Sequence, residues 1–119
     1  CNSCPTRLSS DLMAKWDAAL YGDGLLSDTL KNMMWAPVEV PNGADELSYA
    51  LGWNTRPYKG LRVLGHSGQV AGFVTSFKRF PDQDLMFLIF LNRYKLRSFP
   101  IGSALIDTFI PGLETSPEP

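Results

Sequence analysis

The chain has 119 residues, of which 45% are hydrophobic and 19% are charged, and this composition is typical of one small globular domain. Eleven basic residues stand against twelve acidic ones, so charge gives no reason to expect a nucleic-acid or anionic-membrane partner. The longest apolar run, Leu85 to Leu91, is far shorter than the roughly 18 residues that a membrane-spanning helix needs. We therefore expect no membrane span, and the cellular compartment stays open.

Both cysteines, Cys1 and Cys4, lie at the N-terminus, and neither a Met nor a basic, apolar leader comes before them. Processing or truncation is the expected origin of this start. A tetrahedral zinc site would need two more ligands, and His66 is the single histidine of the chain. A redox Cys-x-x-Cys normally opens a helix, whereas Pro5 follows here. We favour two incidental thiols, with no metal and no cofactor.

Two helices are predicted in the first third of the chain. Ser10 and Asp11 supply an N-cap, apolar residues then recur at helical spacing, and Gly22 ends the pattern. Ser27 caps a second, shorter helical segment, which Pro37 terminates.

Strand-like runs follow at residues 49–54, 62–64, 72–79 and 85–92, with turn-forming residues at 57–60 and 81–84. The last run does not alternate between apolar and polar residues, so we expect both of its faces to be covered. Pro100 fits the first turn of a closing helix whose apolar stripe packs on the sheet.

These elements predict an α+β fold, in which helices pack on an antiparallel sheet of three to four strands. We expect a single domain over residues 1–113 and a disordered, proline-rich tail over 114–119. We interpret Trp16, Trp35 and Trp53 as core residues rather than as an aromatic binding platform.

The densest group of unusual residues is Gly65-His66-Ser67-Gly68-Gln69, where glycines surround the single histidine within a predicted strand. Glycine in a strand often marks the close approach of another backbone or of a ligand. Because neighbouring strand residues point to opposite faces, His66 and Ser67 are not expected to form a nucleophile–base dyad. The simpler interpretation is a histidine held by strand hydrogen bonds, and a vestige of a ligand-binding site is the alternative.

Five motifs occur in order along the chain: Tyr49-Ala50-Leu51-Gly52-Trp53, Gly65-His66-Ser67-Gly68, Gly72-Phe73, Arg79-Phe80-Pro81-Asp82 and Leu91-Asn92-Arg93. Together they resemble the C-terminal region of the superfamily of serine β-lactamases, penicillin-binding proteins, D-aminopeptidases and esterases. Residues 10–16 and 24–27 resemble the helix and loop that precede these strands in class C-like members. The resemblance extends over residues 8–113.

The resemblance implies that the strand forms one wall of an active site, with His-Ser-Gly in place of the family's Lys-Thr-Gly motif. His66 then assists proton transfer or stabilises charge. Ser67, Gly68 and Gln69 form the substrate-binding part of the strand, where Ser67 binds a substrate carboxylate or carbonyl. The backbone N–H of Gln69 supplies half of an oxyanion hole.

The family's nucleophile is a serine three residues before a lysine on a buried helix, and no serine of this sequence has lysine at that offset. Thr75 and Lys78 have the spacing, but a strand places them on opposite faces. The family's Tyr-x-Asn motif is missing as well. The sequence therefore holds accessory groups, and no complete catalytic set, for acyl transfer through a serine ester.

In the family's complete fold, N-terminal strands pair with the strand that corresponds to residues 85–91. Without them this run is an exposed apolar edge, so we expect a homo-oligomer, formed edge to edge or by exchange of helices. Three functions remain open. The chain is a non-catalytic remnant that serves as a small-molecule binding or oligomerisation module, an enzyme half whose nucleophile comes from a separate polypeptide, or a fragment of a full-length serine hydrolase.

Overall fold

The computed structural model of the chain describes residues 10–38, 48–93, 98–110 and 112–113. Within them, the helices are α1 (Ser10–Ala19), α2 (Asp28–Trp35) and α3 (Ser98–Phe109), and the strands are β1 (Leu64–Val70), β2 (Phe73–Phe80) and β3 (Leu85–Leu91). This arrangement of three helices and a three-stranded antiparallel sheet confirms the predicted α+β class. The cysteines Cys1 and Cys4 and the predicted tail at 114–119 lie outside the described residues.

The second helix begins where its capping residue predicts. The Ser27 hydroxyl accepts a hydrogen bond from the backbone N–H of Leu30 at the start of α2, with an N···O distance of 3.4 Å. Lys31 on α2 is buried, and its Nζ donates to the carbonyl of Gly22 at 3.1 Å. The same Nζ lies 2.7 Å from the Asp28 carboxylate. This lysine therefore ties α2 to the segment that follows α1.

The sheet has the strand order β1-β2-β3, and both connections are tight. Val70 pairs with Phe73 across a two-residue turn in which Gly72 has a φ of 85°. The predicted turn at 81–84 is confirmed as a short 3₁₀ segment followed by Asp84 in the left-handed region, with a φ of 49°. The sheet is thus a meander, as the turn residues predict.

The prediction of a strand over residues 49–54 is wrong. Gly52, with a φ of 76°, reverses the chain there, so that Tyr49 and Asn54 form a single bridge with each other. We call this segment the 49–54 bend. It joins two elements, because Leu51 N–H donates to the Met34 carbonyl of α2 at 3.2 Å and Asn54 bridges to Gly65 of β1.

Of the strand predicted at 62–64, only Leu64 belongs to a strand of the structure. That strand, β1, continues through the glycine-rich residues to Val70. Pairing along the whole length of β2 overrides the low strand propensity of glycine in this segment. The predicted strands at 72–79 and 85–92 agree with β2 and β3 to within one residue at each end.

Side-chain alternation gives the sheet two faces, each covered by a different part of the chain. On what we call the α3 face, Phe80 and Val63 pack against Ile106 of α3. On the α1 face, Phe77 and Leu64 pack with Leu20, next to the end of α1. The buried core on that face consists of Leu20, Ala50, Trp53, Leu64 and Phe77. The helices thus form a layer on each side of one thin sheet.

The apolar strand β3 contacts α3 on one face and α1 on the other, in agreement with its lack of alternation. Coverage is nevertheless incomplete. Ile89 is the one buried residue of β3, and Phe90 is 53% exposed. Among the described residues, β3 also has no strand on its outer side, so it is an edge of the sheet.

A buried ion pair joins α1 to the central strand. Nε of Arg79 lies 2.9 Å from Oδ1 of Asp17, and the Arg79 side chain is only 1% exposed. The guanidinium carbon also lies 4.6 Å from the ring centroid of Tyr21 and 5.3 Å from that of Trp35. Burial raises the pKa of the Asp17 carboxyl, and the positive charge of Arg79 only partly offsets this effect.

None of the described helices is long and apolar enough to cross a membrane.

We predict that breaking this ion pair on one side destabilises the fold more than removing it entirely. Asp17→Asn leaves a buried guanidinium without its counter-charge, which costs about 3 kcal/mol in the free energy of unfolding. Asp17→Asn combined with Arg79→Met recovers part of that loss. Urea unfolding of the wild type, both single variants and the double variant measures the coupling.

The more exposed pair between Lys59 and Asp107 is the control, and Asp107→Asn is expected to change stability much less because the Asp107 side chain is 44% exposed. Additive effects of the two single substitutions at Asp17 and Arg79 would contradict the assigned coupling.

Candidate functional site

The side chains of the His-Ser-Gly segment lie on alternate faces of the sheet. His66 pairs with Phe77 on the α1 face, and Ser67 pairs with Ser76 on the α3 face. The prediction that His66 and Ser67 do not form a dyad is therefore confirmed. Thr75 and Lys78 on β2 also lie on opposite faces, as expected. Thr75 pairs with Gly68 on the α1 face, and Lys78 pairs with Gly65 on the α3 face.

His66 has a tyrosine partner. The Tyr49 hydroxyl lies 3.0 Å from Nε2 of His66, and the two ring centroids are 6.0 Å apart. Backbone contacts hold Tyr49 in place. Tyr49 bridges to Asn54 within the 49–54 bend, and the Tyr49 carbonyl accepts a hydrogen bond from the Val38 N–H at 2.9 Å. The tyrosyl O–H donates to Nε2 when the imidazole carries its proton on Nδ1, and the imidazolium donates in the opposite direction. In both states Nδ1 is left for a second partner.

The glycines of β1 permit a close approach to β2. A Cβ atom on Gly65 would lie 2.3 Å from the backbone carbonyl oxygen of Phe77, a distance that no side chain can occupy. At Gly68 a Cβ would lie 3.0 Å from the Thr75 hydroxyl oxygen, which donates to the Gly68 carbonyl at 3.4 Å. Gly65 is therefore required by packing within the sheet, and this requirement alone explains part of the glycine pattern.

The outer edge of β1 presents backbone hydrogen-bonding groups. Gly65 exchanges both of its backbone bonds with Asn54, at 2.7 and 3.0 Å, so its N–H and C=O point away from β2. Strand alternation gives Ser67 and Gln69 the same outward direction. Among the described residues, no other chain segment pairs with this part of β1. The edge next to His66 can therefore accept an extended ligand.

Two cavities meet at this edge, one on each face of the sheet. The His66 cavity, on the α1 face, has a volume of about 390 Å³ and is mostly apolar. Its walls include Met13, Trp16, Trp53, Leu88 and Phe90. The Lys78 cavity, on the α3 face, has a volume of about 450 Å³ and is lined partly by Ser76 and Lys78. His66 and Ser67 border both cavities.

The tryptophans divide between core and site. Trp53 is buried and its ring meets that of half-buried Trp35 edge to face, with centroids 6.1 Å apart, so both are core residues as predicted. The prediction is wrong for Trp16, which is 39% exposed and forms part of the wall of the His66 cavity. Helical spacing could not separate these two situations, because the wall of an apolar cavity has the same sequence pattern as a core.

Within the described part of the chain, no group of three or more His, Cys, Asp or Glu side chains is placed to hold a metal ion. Sequence reasoning missed two residues of the site. Tyr49 lies 17 residues before its partner His66, and nothing local in the sequence indicates the contact. For Lys78 the sequence offers only its spacing to Thr75, although the residue lies beside Ser76 and Ser67 on the α3 face.

Comparisons with known proteins give a partial, distant similarity. The chain is 33% identical over 88 residues to penicillin-binding protein 4* of Bacillus subtilis strain 168, an alignment that covers 72% of this chain and 19% of that protein. It is 32% identical over 75 residues to unguisins hydrolase ungD' of Aspergillus campestris strain IBT 28561, covering 58% of this chain and 14% of the hydrolase. The alignments thus span less than a fifth of either relative.

No protein-family model matches the chain. No solved structure matches it either. The chain is therefore distantly similar, over part of its length, to members of the serine hydrolase superfamily.

We predict that Gly65→Ala distorts β1 and destabilises the fold by roughly 2 kcal/mol, because the added methyl group would meet the backbone of β2. Gly24→Ala is the matched control, since a Cβ there meets no atom within 4 Å. Chemical denaturation of both variants measures the difference. Equal stability of the two variants would contradict the close approach at Gly65.

Proposed function

We propose that the chain forms the substrate-binding wall of a serine β-lactamase-like hydrolase and does not by itself complete the catalytic site. The observation that carries this proposal is the position of His66, which is bonded to Tyr49 at 3.0 Å and lies beside an open strand edge and an apolar cavity. The partial similarity to a penicillin-binding protein and to a hydrolase supports it.

The groups at the edge of β1 suit a carbonyl substrate. The outward N–H groups of Ser67 and Gln69 can donate to an extended substrate, and the Gln69 N–H fits one donor of an oxyanion hole. The His66 imidazole, with one nitrogen bonded to Tyr49, can transfer a proton or stabilise developing charge. On the basis of the family resemblance, we propose that the substrates are β-lactams, D-amino-acid peptides or short esters.

The attacking group is proposed to come from a polypeptide segment outside these 119 residues. The sequence contains no serine followed three residues later by lysine and no Tyr-x-Asn. Ser67 is the hydroxyl nearest in sequence to His66, yet it lies on the other face of the sheet and lacks that base. The chain would then supply binding and orientation, and its partner segment the covalent chemistry.

We predict that the isolated chain does not hydrolyse a chromogenic cephalosporin or a p-nitrophenyl ester faster than a His66→Ala variant. Absorbance assays with both substrates make this comparison. Turnover that His66→Ala abolishes would mean that a residue of this chain attacks the substrate, with Ser67 tested first by Ser67→Ala.

Binding is tested separately, by following backbone amide signals while a D-alanyl-D-alanine peptide is added. We expect the largest changes in chemical shift at the amides of Ser67 and Gln69. Tyr49→Phe should reduce these changes, because it removes the hydroxyl that is hydrogen-bonded to the His66 ring. Shifts that bypass β1 altogether would overturn the binding-wall proposal.

We also propose that this chain self-associates through the outer edge of β3, where the partner is a second copy. In the ladder with β2, the backbone groups of Met86, Leu88 and Phe90 point outward. The strand carries no charge that would oppose pairing, and an antiparallel pair of β3 strands about a two-fold axis at Leu88 satisfies both edges equally.

Phe90→Lys tests this association, since a lysine at an exposed strand edge opposes edge-to-edge pairing. Sedimentation velocity at micromolar concentration should show a dimer for the wild type and a monomer for Phe90→Lys. Met33→Lys is the matched control, because it removes an exposed apolar side chain from α2 and leaves β3 intact. A monomeric wild type, or a dimer that Phe90→Lys does not affect, would contradict the pairing.

A further inference from the structure

The Lys78 cavity is lined by a lysine whose ammonium group lies near two aromatic rings. Nζ of Lys78 lies 5.3 Å from the ring centroid of Phe99 and 6.0 Å from that of Tyr58, and the two rings meet edge to face. Ser76 and Ser67 share the α3 face with Lys78 and border the same cavity. Hydroxyl donors, an ammonium group and flat apolar walls therefore converge on one space.

The described charged residues that line this cavity are both basic. Arg56 lines it together with Lys78, and none of the described residues that line it is a carboxylate. The ion pairs among the described residues use Lys31, Lys59 and Arg79, and no described acidic group lies within ion-pair distance of Lys78. A half-buried cation that lines a cavity of about 450 Å³ thus has no ion-pair partner among the described residues.

We infer that the Lys78 cavity binds a small organic carboxylate with a flat apolar body, whose anionic group contacts Lys78 and the Ser76 hydroxyl and whose body lies against Tyr58 and Phe99. Arg56 is exposed, so Lys78 is the one half-buried cation among the described lining residues, and its single charge balances one negative charge, which favours a carboxylate over a phosphate dianion. The rings of Tyr58 and Phe99 offer apolar area but few hydrogen-bond donors, as a planar organic body requires.

Electrostatic interactions favour the state in which a carboxylate is bound beside Lys78 over the state without a ligand. Burial lowers the pKa of the Lys78 ammonium, since the charged form loses hydration without gaining a counter-charge. A bound carboxylate supplies that charge and raises the pKa again. Binding of the carboxylate and protonation of Lys78 are therefore linked. The affinity for the carboxylate is highest when the pH is below the lowered pKa of Lys78. It decreases as the pH rises through that pKa towards 10.5, the ordinary value for lysine.

His66 and Ser67 border this cavity as well, but the Lys78 and Ser76 side chains lie on the face opposite the His66 ring, so the inference does not depend on the proposed hydrolase wall. A carboxylate bound here would contact Lys78 even if the outer edge of β1 bound no substrate. The two proposals fail separately, because the Lys78 side-chain signal reports on the carboxylate, whereas the backbone amide of Gln69, which does not line the Lys78 cavity, reports on the outer edge of β1.

Benzoate is the probe, and inorganic phosphate is the comparison. In chain labelled with ¹³C at lysine Cε, the Lys78 signal should show a higher pKa when benzoate is present. Lys78→Met should weaken benzoate binding roughly tenfold to a hundredfold, as expected for the loss of one charge-assisted hydrogen bond. Lys78→Arg should keep most of the affinity but lose its dependence on pH, because arginine does not titrate in this range.

Lys15→Met is the matched control, since it removes a lysine from the exposed surface of α1 and should leave benzoate affinity unchanged. Lys78→Met removes a desolvated charge, so the variant is expected to fold, and thermal unfolding verifies this. Undiminished binding to folded Lys78→Met, or an unchanged Lys78 pKa with benzoate bound, would overturn the inference. Phosphate binding as tight as benzoate would overturn the choice of a carboxylate.

Discussion

The alternation of side chains along β2 is the constraint on which the rest of the structure depends. It directs Phe77 and Arg79 towards α1 and the 49–54 bend, and Lys78 and Phe80 towards α3. A shift of one residue in the register would exchange these two sets and place a buried core on the wrong side. Both helical layers, and both cavities at the edge of β1, follow from this single register.

The neighbouring cations Arg79 and Lys78 show how the same strand serves two purposes. Arg79 is matched by Asp17 at 2.9 Å and by the faces of two aromatic rings, so it fixes α1 on the sheet. Lys78 also contacts aromatic rings, but no described carboxylate pairs with it. The charge of buried Arg79 is therefore compensated within the protein, whereas the charge of half-buried Lys78 favours the binding of an external anion.

Local patterns in the sequence were sufficient to predict the three helices, the turn at 81–84 and the strands β2 and β3, because capping residues and apolar periodicity act over a few neighbours. They were insufficient at 49–54, where one left-handed glycine replaces a strand by a bend. The contact between Tyr49 and His66 and the anion-favouring surroundings of Lys78 arise from tertiary packing across the sheet. Such contacts leave no signal among neighbouring residues of the sequence. The strand that carries the candidate site was therefore predictable, whereas the residues that contact this strand from elsewhere in the chain were not.

The 49–54 bend also determines which backbone amides open together. Leu51 N–H is bonded to α2, Asn54 N–H to β1, and Ala50 N–H to Trp53 within the bend itself. Separation of α2 from the sheet would break the first of these bonds and loosen the others, so their amide protons should exchange with solvent as one cooperative unit. The hydroxyl that orients His66 belongs to this unit. Its position therefore depends on the local unfolding free energy of a helix that contributes no residue to the lining of the His66 cavity.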